Sequence, residues 1–503
     1  MGNISCIFSF EIPMKHWHTH ARNQTRSTWQ SNFLVATFIL VLVVILSPGC
    51  NSTNEDDENQ QDTQTTEQVG IAVNVLVVED DKIGSVLKRQ YNARENGDAT
   101  ITEISWQDLV DSEFAAVKQN DIVIYPTRRM GELVTRDLLA PLTEENTRFK
   151  DSEPRTLLFA DRGIGVSWGD QQYGMSMGQS HWVAIYRQEL LAEDIKPPKN
   201  WKQFNKFLKR AIKDAPEGVP TRVAFPMSDH WASYSLLSHV ASAIRIPGKY
   251  STFFDVSTMD PLIDNEPFLE SLNAMQKYMQ DSEALSPKEL LSEYSAGNIG
   301  IAFAPLNSFW LPQQQDGDSF PKSVVALVPG YAASYDASRG SWQDQYSGNL
   351  LTVPVIGGTG MLASMSASCE KQRNTVEVIQ WITSKQISAI LSVESENTGL
   401  SRKSHLGNPA KWLGENFPNE NGTQFASTMT TINSSRRTLQ VLRIPESDQY
   451  LELLDDAVRQ VVLNGANSVE VTAGLDRQWN ALTEKLDLET VKAHYRFSEG
   501  LSN

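Results

Sequence analysis

The stretch DIKPPKNWKQFNKFL, Asp194 to Leu208, decides how this chain is read. Pro197 and Pro198 cannot sit inside a helix, and they bias the residues before them toward extended backbone. Asn200 is a good N-cap, and Gln203 stands three residues on, where a capping-box partner belongs. Trp201, Phe204, Phe207 and Leu208 fall at i, i+3, i+6 and i+7, which predicts one apolar face. On physical grounds alone this is a tight turn followed by a capped amphipathic helix.

A chain of 503 residues is too long for one core, so two or more domains are expected. The composition is that of a globular protein, 40% apolar and 21% charged with 12 Trp. The net charge of −17 argues against nucleic acid as a partner, since phosphate binding needs a basic surface. Lys15, Arg22 and Arg26 precede an apolar run from Phe33 to Leu46, and Gly49-Cys50 follows. That order is the n-region, h-region and cleavage site of an export signal. The run is shorter than the roughly 20 residues that span a bilayer as a helix; an uncleaved membrane anchor is the alternative reading. Met14 is a second candidate start. His16, His18 and His20 lie in the discarded stretch and are read as bystanders. Asn51 to Gln68 carries six acids, no Lys or Arg and no apolar side chain, so it is expected to be a flexible tether. The cysteines are Cys6, Cys50 and Cys369; with Cys50 modified, no internal disulfide can form after processing.

Val73–Val78 is a continuous apolar run suited to a buried parallel strand. Lys82–Tyr91 has helical spacing, Ala99–Ile104 reads as a second strand, and DIVIY (Asp121–Tyr125) as a third after a helix around Leu109–Val117. Alternation of this kind predicts a parallel α/β sheet. VLVVEDD (Val75–Asp81) imitates a phosphoryl-receiver domain, but Tyr125-Pro126 stands where the phosphoacceptor Asp is needed. Glu79, Asp80 and Asp81 are left either lining a ligand crevice, since open α/β sheets bind at strand carboxyl ends, or forming a solvated loop. Phe268, Leu272, Met275 and Met279 recur at helical spacing and are read as core. GGTGMLASM (Gly357–Met365) lacks the strand, glycine pattern and helix of a dinucleotide fingerprint.

The opening stretch resembles the "PPKTWDEF" segment of the extracellular solute-binding proteins of ABC importers, the family that includes sugar-binding proteins. Asp121–Leu142 resembles that family's "DVV…LGEL…GLLAPL" pattern. Tyr173-Gly174-Met175-Ser176 resembles its "yGvP" crossover, with Ser176 in place of the usual Pro and Arg187 in place of a later Asn. Met259–Met279, Tyr294–Phe303 (with Asn298 for the family's basic residue), Gly357–Met365, Asn397–Ser404 and the helical ending Leu442–Leu501 are similar to further family segments in the same order. Each motif is diffuse; their order carries the resemblance. Cys50 resembles the lipidated cysteine of a bacterial lipoprotein, although Ser47 holds the usual Leu position.

The resemblance implies an α/β fold of two lobes with parallel-type sheets, joined by hinge crossovers that close around a ligand. Residues 1–49 would be a lipoprotein signal and 50–70 a lipid-anchored acidic linker. Lobe one would combine 71–177 and 347–401, and lobe two 178–346 and 402–503. It further implies an exported, membrane-anchored protein that delivers a small solute to permease subunits. The expected ligand-binding residues are Trp231, Trp310, Tyr173, Trp182 and Trp342, with Asp80 and Gly358; Cys50 would carry lipid. Aromatic faces suit sugar rings, so a carbohydrate is the expected ligand. No cofactor and no metal are expected. The chain has no Gly-x-Ser-x-Gly, His-Glu-x-x-His or Cys-x-x-Cys. Ser228, Asp229 and His230 are too close in sequence to converge as a triad. Asp455 and Asp456 are neighbours on a helix and point apart. A sensor or scaffold of the same fold, and less so a carbohydrate-active enzyme, are the alternatives.

Overall fold

The computed structural model describes residues 72–92, 99–143, 157, 163–191, 196–280, 282–307, 309, 311, 320–344, 352–407, 419–435 and 437–501, all within the compact unit Gln68–Asn503. The expected signal, Cys50, the acidic linker and Trp310 lie outside the described residues. None of the described helices is long and apolar enough to cross a membrane.

The chain opens with β1 (Val73–Val78), α1 (Asp81–Asn92) and β2 (Ala99–Ile104). The helix expected around Leu109–Val117 is broken into α2 (Trp106–Asp111) and α3 (Ala115–Lys118), because Glu113 and Phe114 take φ of 50° and 58° between them. β3 (Ile122–Pro126), α4 (Met130–Thr135) and β4 (Leu139–Ala140) follow. β1 and β3 read as unbroken apolar runs because both of their faces are covered. Val73, Val75, Val77, Ile122 and Ile124 enter one core, whereas Leu76, Val78, Val123 and Tyr125 enter the other.

After β5 (Ser167–Trp168), β6 (Gln171–Gln172) and β7 (Gly174–Ser176), the chain crosses to β8 (His181–Arg187). There α5 (Trp201–Asp214) begins as predicted, with the Asn200 side chain accepting from Gln203 N at 2.9 Å. Gln203 reaches one residue beyond the capping box and accepts from Lys199 N instead. β9 (Val223–Ala224), α6 (Trp231–Ile244), α7 (Glu266–Tyr278), α8 (Pro287–Ala296), β10 (Ile301–Leu306) and β11 (Ser323–Leu327) complete this part. Phe268, Leu272, Met275 and Met279 are all core, and burying each such side chain contributes about 1.5–3 kcal/mol.

A hairpin of β12 (Ala333–Asp336) and β13 (Ser341–Asp344) precedes the return through β14 (Val355–Ile356) and β15 (Met361–Ser366). Asn374–Ile390, whose apolar Val378, Trp381 and Ile382 read as one face of a single amphipathic helix, falls in two, α9 (Gln372–Ile382) and α10 (Lys385–Glu394), since Ser384 caps the second one at Ile387 N. α11 (Asn419–Ser434), β16 (Leu439–Gln440), α12 (Ser447–Val462), α13 (Ser468–Lys485) and α14 (Leu488–Ser498) end the chain. The indole of Trp479 is fully buried and donates to Tyr450 O at 3.1 Å.

Two sheets result. The first has the order β2-β1-β3-β15-β4, with β7 also pairing β15. Its β1, β2 and β3 are parallel, whereas β15 runs antiparallel to β3, β4 and β7. The second has the order β11-β8-β10-β9 and is antiparallel except where β9 meets β10. Between the sheets, the crossover segments are stitched by side-chain hydrogen bonds. Asn307 Nδ2 donates to Ser180 Oγ (2.8 Å) and to Thr398 O (3.0 Å). Thr359 Oγ1 bonds both the N–H and the carbonyl of Ser180, and Gln179 Oε1 accepts from Gly357 N at 3.0 Å.

Candidate ligand-binding site

Parallel strands aim their carboxyl ends at one place, and the residues just beyond those ends meet there. Glu79 follows β1 in a left-handed conformation, φ 63°. Thr127, Arg128 and Arg129 form a single 3-10 turn after β3. From the other side come the start of α6, where His230 has φ 54°, and the start of α12, where Glu446 has φ 60°. Non-glycine residues held in that region cost of order 1–3 kcal/mol each and tend to gather where geometry is used.

Glu79 accepts from Arg128 Nη2 at 2.9 Å and from Arg129 Nη2 at 3.3 Å. Asp448, in the first turn of α12, pairs with Arg128 Nε at 3.6 Å and with Arg129 Nη1. Its negative charge sits in the first turn of α12, where the helix dipole is favourable to an anion. The Arg129 guanidinium also lies 4.0 Å over the Trp106 ring. Two cations are thus held between one carboxylate from the first sheet and one from α12.

Aromatic rings adjoin the charges. Trp231 lies 6.4 Å from Trp182 and 5.9 Å, edge-on, from Tyr234, and both indoles are almost buried. His230 packs beside Trp231 and Tyr234; loss of water around its ring, and then the Arg128 charge, push its pKa down to about 4. Gly358 sits on the Tyr234 ring, where an added β-carbon would be 3.4 Å away. The α6 start has no cap of its own. Asp455 supplies one from α12, its Oδ1 accepting from Ser233 N at 2.8 Å, while its other oxygen pairs with Arg459. Asp455→Ala is expected to cost about 1–2 kcal/mol, the usual size of a lost cap, and to lower the melting temperature by a few degrees in thermal denaturation at neutral pH. An unchanged melting temperature would show that the cap holds nothing.

The family model of bacterial extracellular solute-binding proteins matches residues 86–395. The chain belongs to that family. Solved structures agree in fold. A sugar-binding protein MalE from Xanthomonas citri aligns with TM-score 0.60 at 13% identity, covering 82% of this chain and 98% of that one. A solute-binding protein from Agrobacterium vitis with bound D-mannitol aligns with TM-score 0.58 at 15% identity, covering 82% and 99%. Maltose-bound MalE3 of T. maritima gives 0.56 at 14% identity, again covering 82% and 99%. Comparison with curated proteins returns no match. The two-lobed α/β architecture expected from the sequence is the one observed.

In this solute-binding protein the expected site residues divide. Trp182, Trp231 and Gly358 come together around Tyr234. Asp80 does not present its carboxylate to that cluster. One oxygen caps α1 at Ile83 N, and the other accepts from Ser395 Oγ and Asn397 Nδ2, so it ties the strand end to a crossover. Tyr173 lies between β6 and β7 with its hydroxyl 3.2 Å from Gln171 Oε1. Trp342 is on β13, stacked on Tyr331 at 5.5 Å, outside that cluster. Trp310 is outside the described residues. Arg128, Arg129 and Asp448 were missed. The strand-end rule that singled out Glu79 applies equally to β3, and it would have found the two arginines.

Proposed function

We propose that this protein captures a neutral polyhydroxylated solute, a sugar or sugar alcohol, between its lobes and delivers it to the permease of an ABC importer. The observation that carries the reading is the cluster itself. Trp231, Trp182 and Tyr234 offer ring faces, while Glu79, Asp448, Arg128 and Arg129 offer fixed acceptors and donors for hydroxyls. The solved relatives of like fold include proteins described with maltose and with D-mannitol bound, which supports the substrate class. Glu79 and Asp448 are both ion-paired with arginines, so neither stands free as a catalytic acid, and the reading is of a binder rather than an enzyme.

Lobe one combines 71–177 with 347–401 and lobe two 178–346 with 402–503 in this reading. Closure is a hinge motion at the crossovers. Residues 1–49 act as a lipoprotein signal, Cys50 takes lipid, and 50–70 form the leash that keeps the lobes near the membrane. Tyr173 and Trp310 remain proposed contributors at the cleft margin.

Thermal-shift and calorimetric titration of the protein with sugars, sugar alcohols, amino acids and polyamines tests this. A ligand present at a hundredfold over its Kd adds about 2.7 kcal/mol of stability. Trp231→Ala is expected to weaken a sugar hit by at least tenfold, or about 1.4 kcal/mol. A hit on another chemical class keeps the clamp and removes the sugar. No hit in any class favours a sensor or scaffold.

A further inference from the structure

A groove of about 1000 Å³ opens on the second lobe between α5, α7 and the β12–β13 hairpin. Its lining comes from those elements, from His239 on α6 and from residues 330–332, with no residue of the first sheet. It is therefore separate from the cleft cluster. Its size is at the upper end of the roughly 300–1,000 Å³ usual for small-molecule sites.

Three features of its wall point to one kind of occupant. Lys202, Lys206 and Lys209 follow one another at i, i+4 and i+7 along α5, so they share a face, and Lys277 faces the groove from α7. All four are exposed, and among the described residues none has a carboxylate within ion-pair distance. Glu270 is the acid that lines the same groove. Four uncompensated cations around one cavity are unexpected on a chain of net charge −17. The floor is aromatic: Trp201, Tyr278, Tyr331 and Trp342 line it, with Tyr331 and Trp342 stacked at 22° between planes. His239, also on the lining, is 1% exposed. It stacks on Trp201 at 3.7 Å and bonds Ser271 Oγ through Nδ1, but its buried Nε2 has no partner.

We propose that this groove is a second binding site, for an acidic oligosaccharide bearing carboxylates or sulfates. Rings with flat faces and hydroxyls suit the tryptophan and tyrosine floor and the amides of Asn205 and Asn273, which also line it. The lysine ring supplies the anion selectivity. The chain's overall negative field repels long polyanions such as nucleic acid, so a short acidic glycan held by a local basic groove fits best.

Isothermal titration of the full chain with trigalacturonate, with a heparin-derived sulfated tetrasaccharide and with neutral maltotetraose tests the assignment. The expected result is binding of at least one acidic oligomer, and which one binds identifies the anion. That binding weakens at least tenfold in Lys206→Glu/Lys277→Glu, and again about tenfold when salt rises from about 50 mM to about 500 mM. Trp342→Ala, which leaves every charge in place, weakens it as well, whereas Trp231→Ala in the cleft does not. Circular dichroism melts establish that each variant folds. Binding of neither acidic oligomer, an affinity indifferent to the lysine reversal, or loss of binding in Trp231→Ala would each overturn the proposal. Equal affinity for a poly-glutamate peptide of matched charge would overturn the glycan assignment.

Discussion

Gly178→Ala is expected to destabilise this protein by roughly 2–5 kcal/mol, the sum of a left-handed backbone cost of about 1–2 and an overpacking cost of about 1–3. Gly178 has φ +89°, and a β-carbon added there would lie 2.1 Å from the carbonyl oxygen of Gly399. Neither backbone can step aside. Gly178 N donates to Ser176 Oγ, and the neighbouring residues are held by Asn307, Thr359 and Gly357. Two comparisons separate the contributions. Gly218 has φ +80° but open space around it, so Gly218→Ala isolates the backbone term of about 1 kcal/mol. Gly399→Ala meets Gln179 O at 2.2 Å without a positive φ, so it isolates the clash. Urea unfolding reads all three. Should Gly178→Ala prove no worse than Gly218→Ala, the backbone-to-backbone approach of the two crossovers would be wrong. The same variant bears on function, because hinge residues absorb the φ/ψ change of closure. A crossover wedged open should therefore lose ligand affinity along with stability.

Much of this architecture was legible because its signals are local. β1 and β2 have the bounds the apolar runs predict, and α5 begins after the Asn200 cap. The Phe268–Met279 stripe is core for the reason given from its spacing. Helix continuity was less legible. Two predicted helices are broken, one by left-handed Glu113 and Phe114 and one by the Ser384 cap, because an apolar periodicity survives an interruption of two or three residues in the sequence.

The candidate site was the least legible part, and the reason is distance along the chain. Trp231 was visible as an aromatic at a helix start, but the group that fixes that start is Asp455, 222 positions away. Asp448 pairs with Arg128 and Arg129 across more than 300 residues, and no local pattern encodes such a pairing. Asp80 looked like a cleft residue because it follows a strand. Its role is decided by Ser395 and Asn397, which pair with its carboxylate in the fold. Trp342 carried the right chemistry and a site-like setting, but the hairpin that bears it packs beside α6 and lines a different cavity. Composition identifies which residue types could bind; long-range packing decides where they act.

Lowering the pH from 7 to about 5 is expected to cost about 3 kcal/mol of stability, and buried histidines are the cause. His181 and His239 are each 1% exposed. Among the described residues neither His181 nitrogen has a partner, nor does His239 Nε2. Burial pushes their pKa down to about 4 and about 3 from an ordinary 6.5. Both folded values lie below the unfolded one, so the unfolded chain takes up protons first as the pH falls. Stability attributable to these rings is complete above 6.5 and declines below it. At pH 5 the deficit is about 1.5 pH units, or about 2 kcal/mol for each ring. Asp455 works the other way. Burial raises its pKa to about 6, so its folded form is protonated before its unfolded form, returning about 1 kcal/mol at pH 5. His405 and His494 are shifted downward as well by burial, which adds to the loss from these two rings. The decisive comparison is urea unfolding of the wild type and of His181→Asn/His239→Asn at the two pH values. If the histidines are the cause, the double variant keeps most of the stability that the wild type loses. An identical loss in both proteins would clear these two rings and move the cause to the other titrating groups.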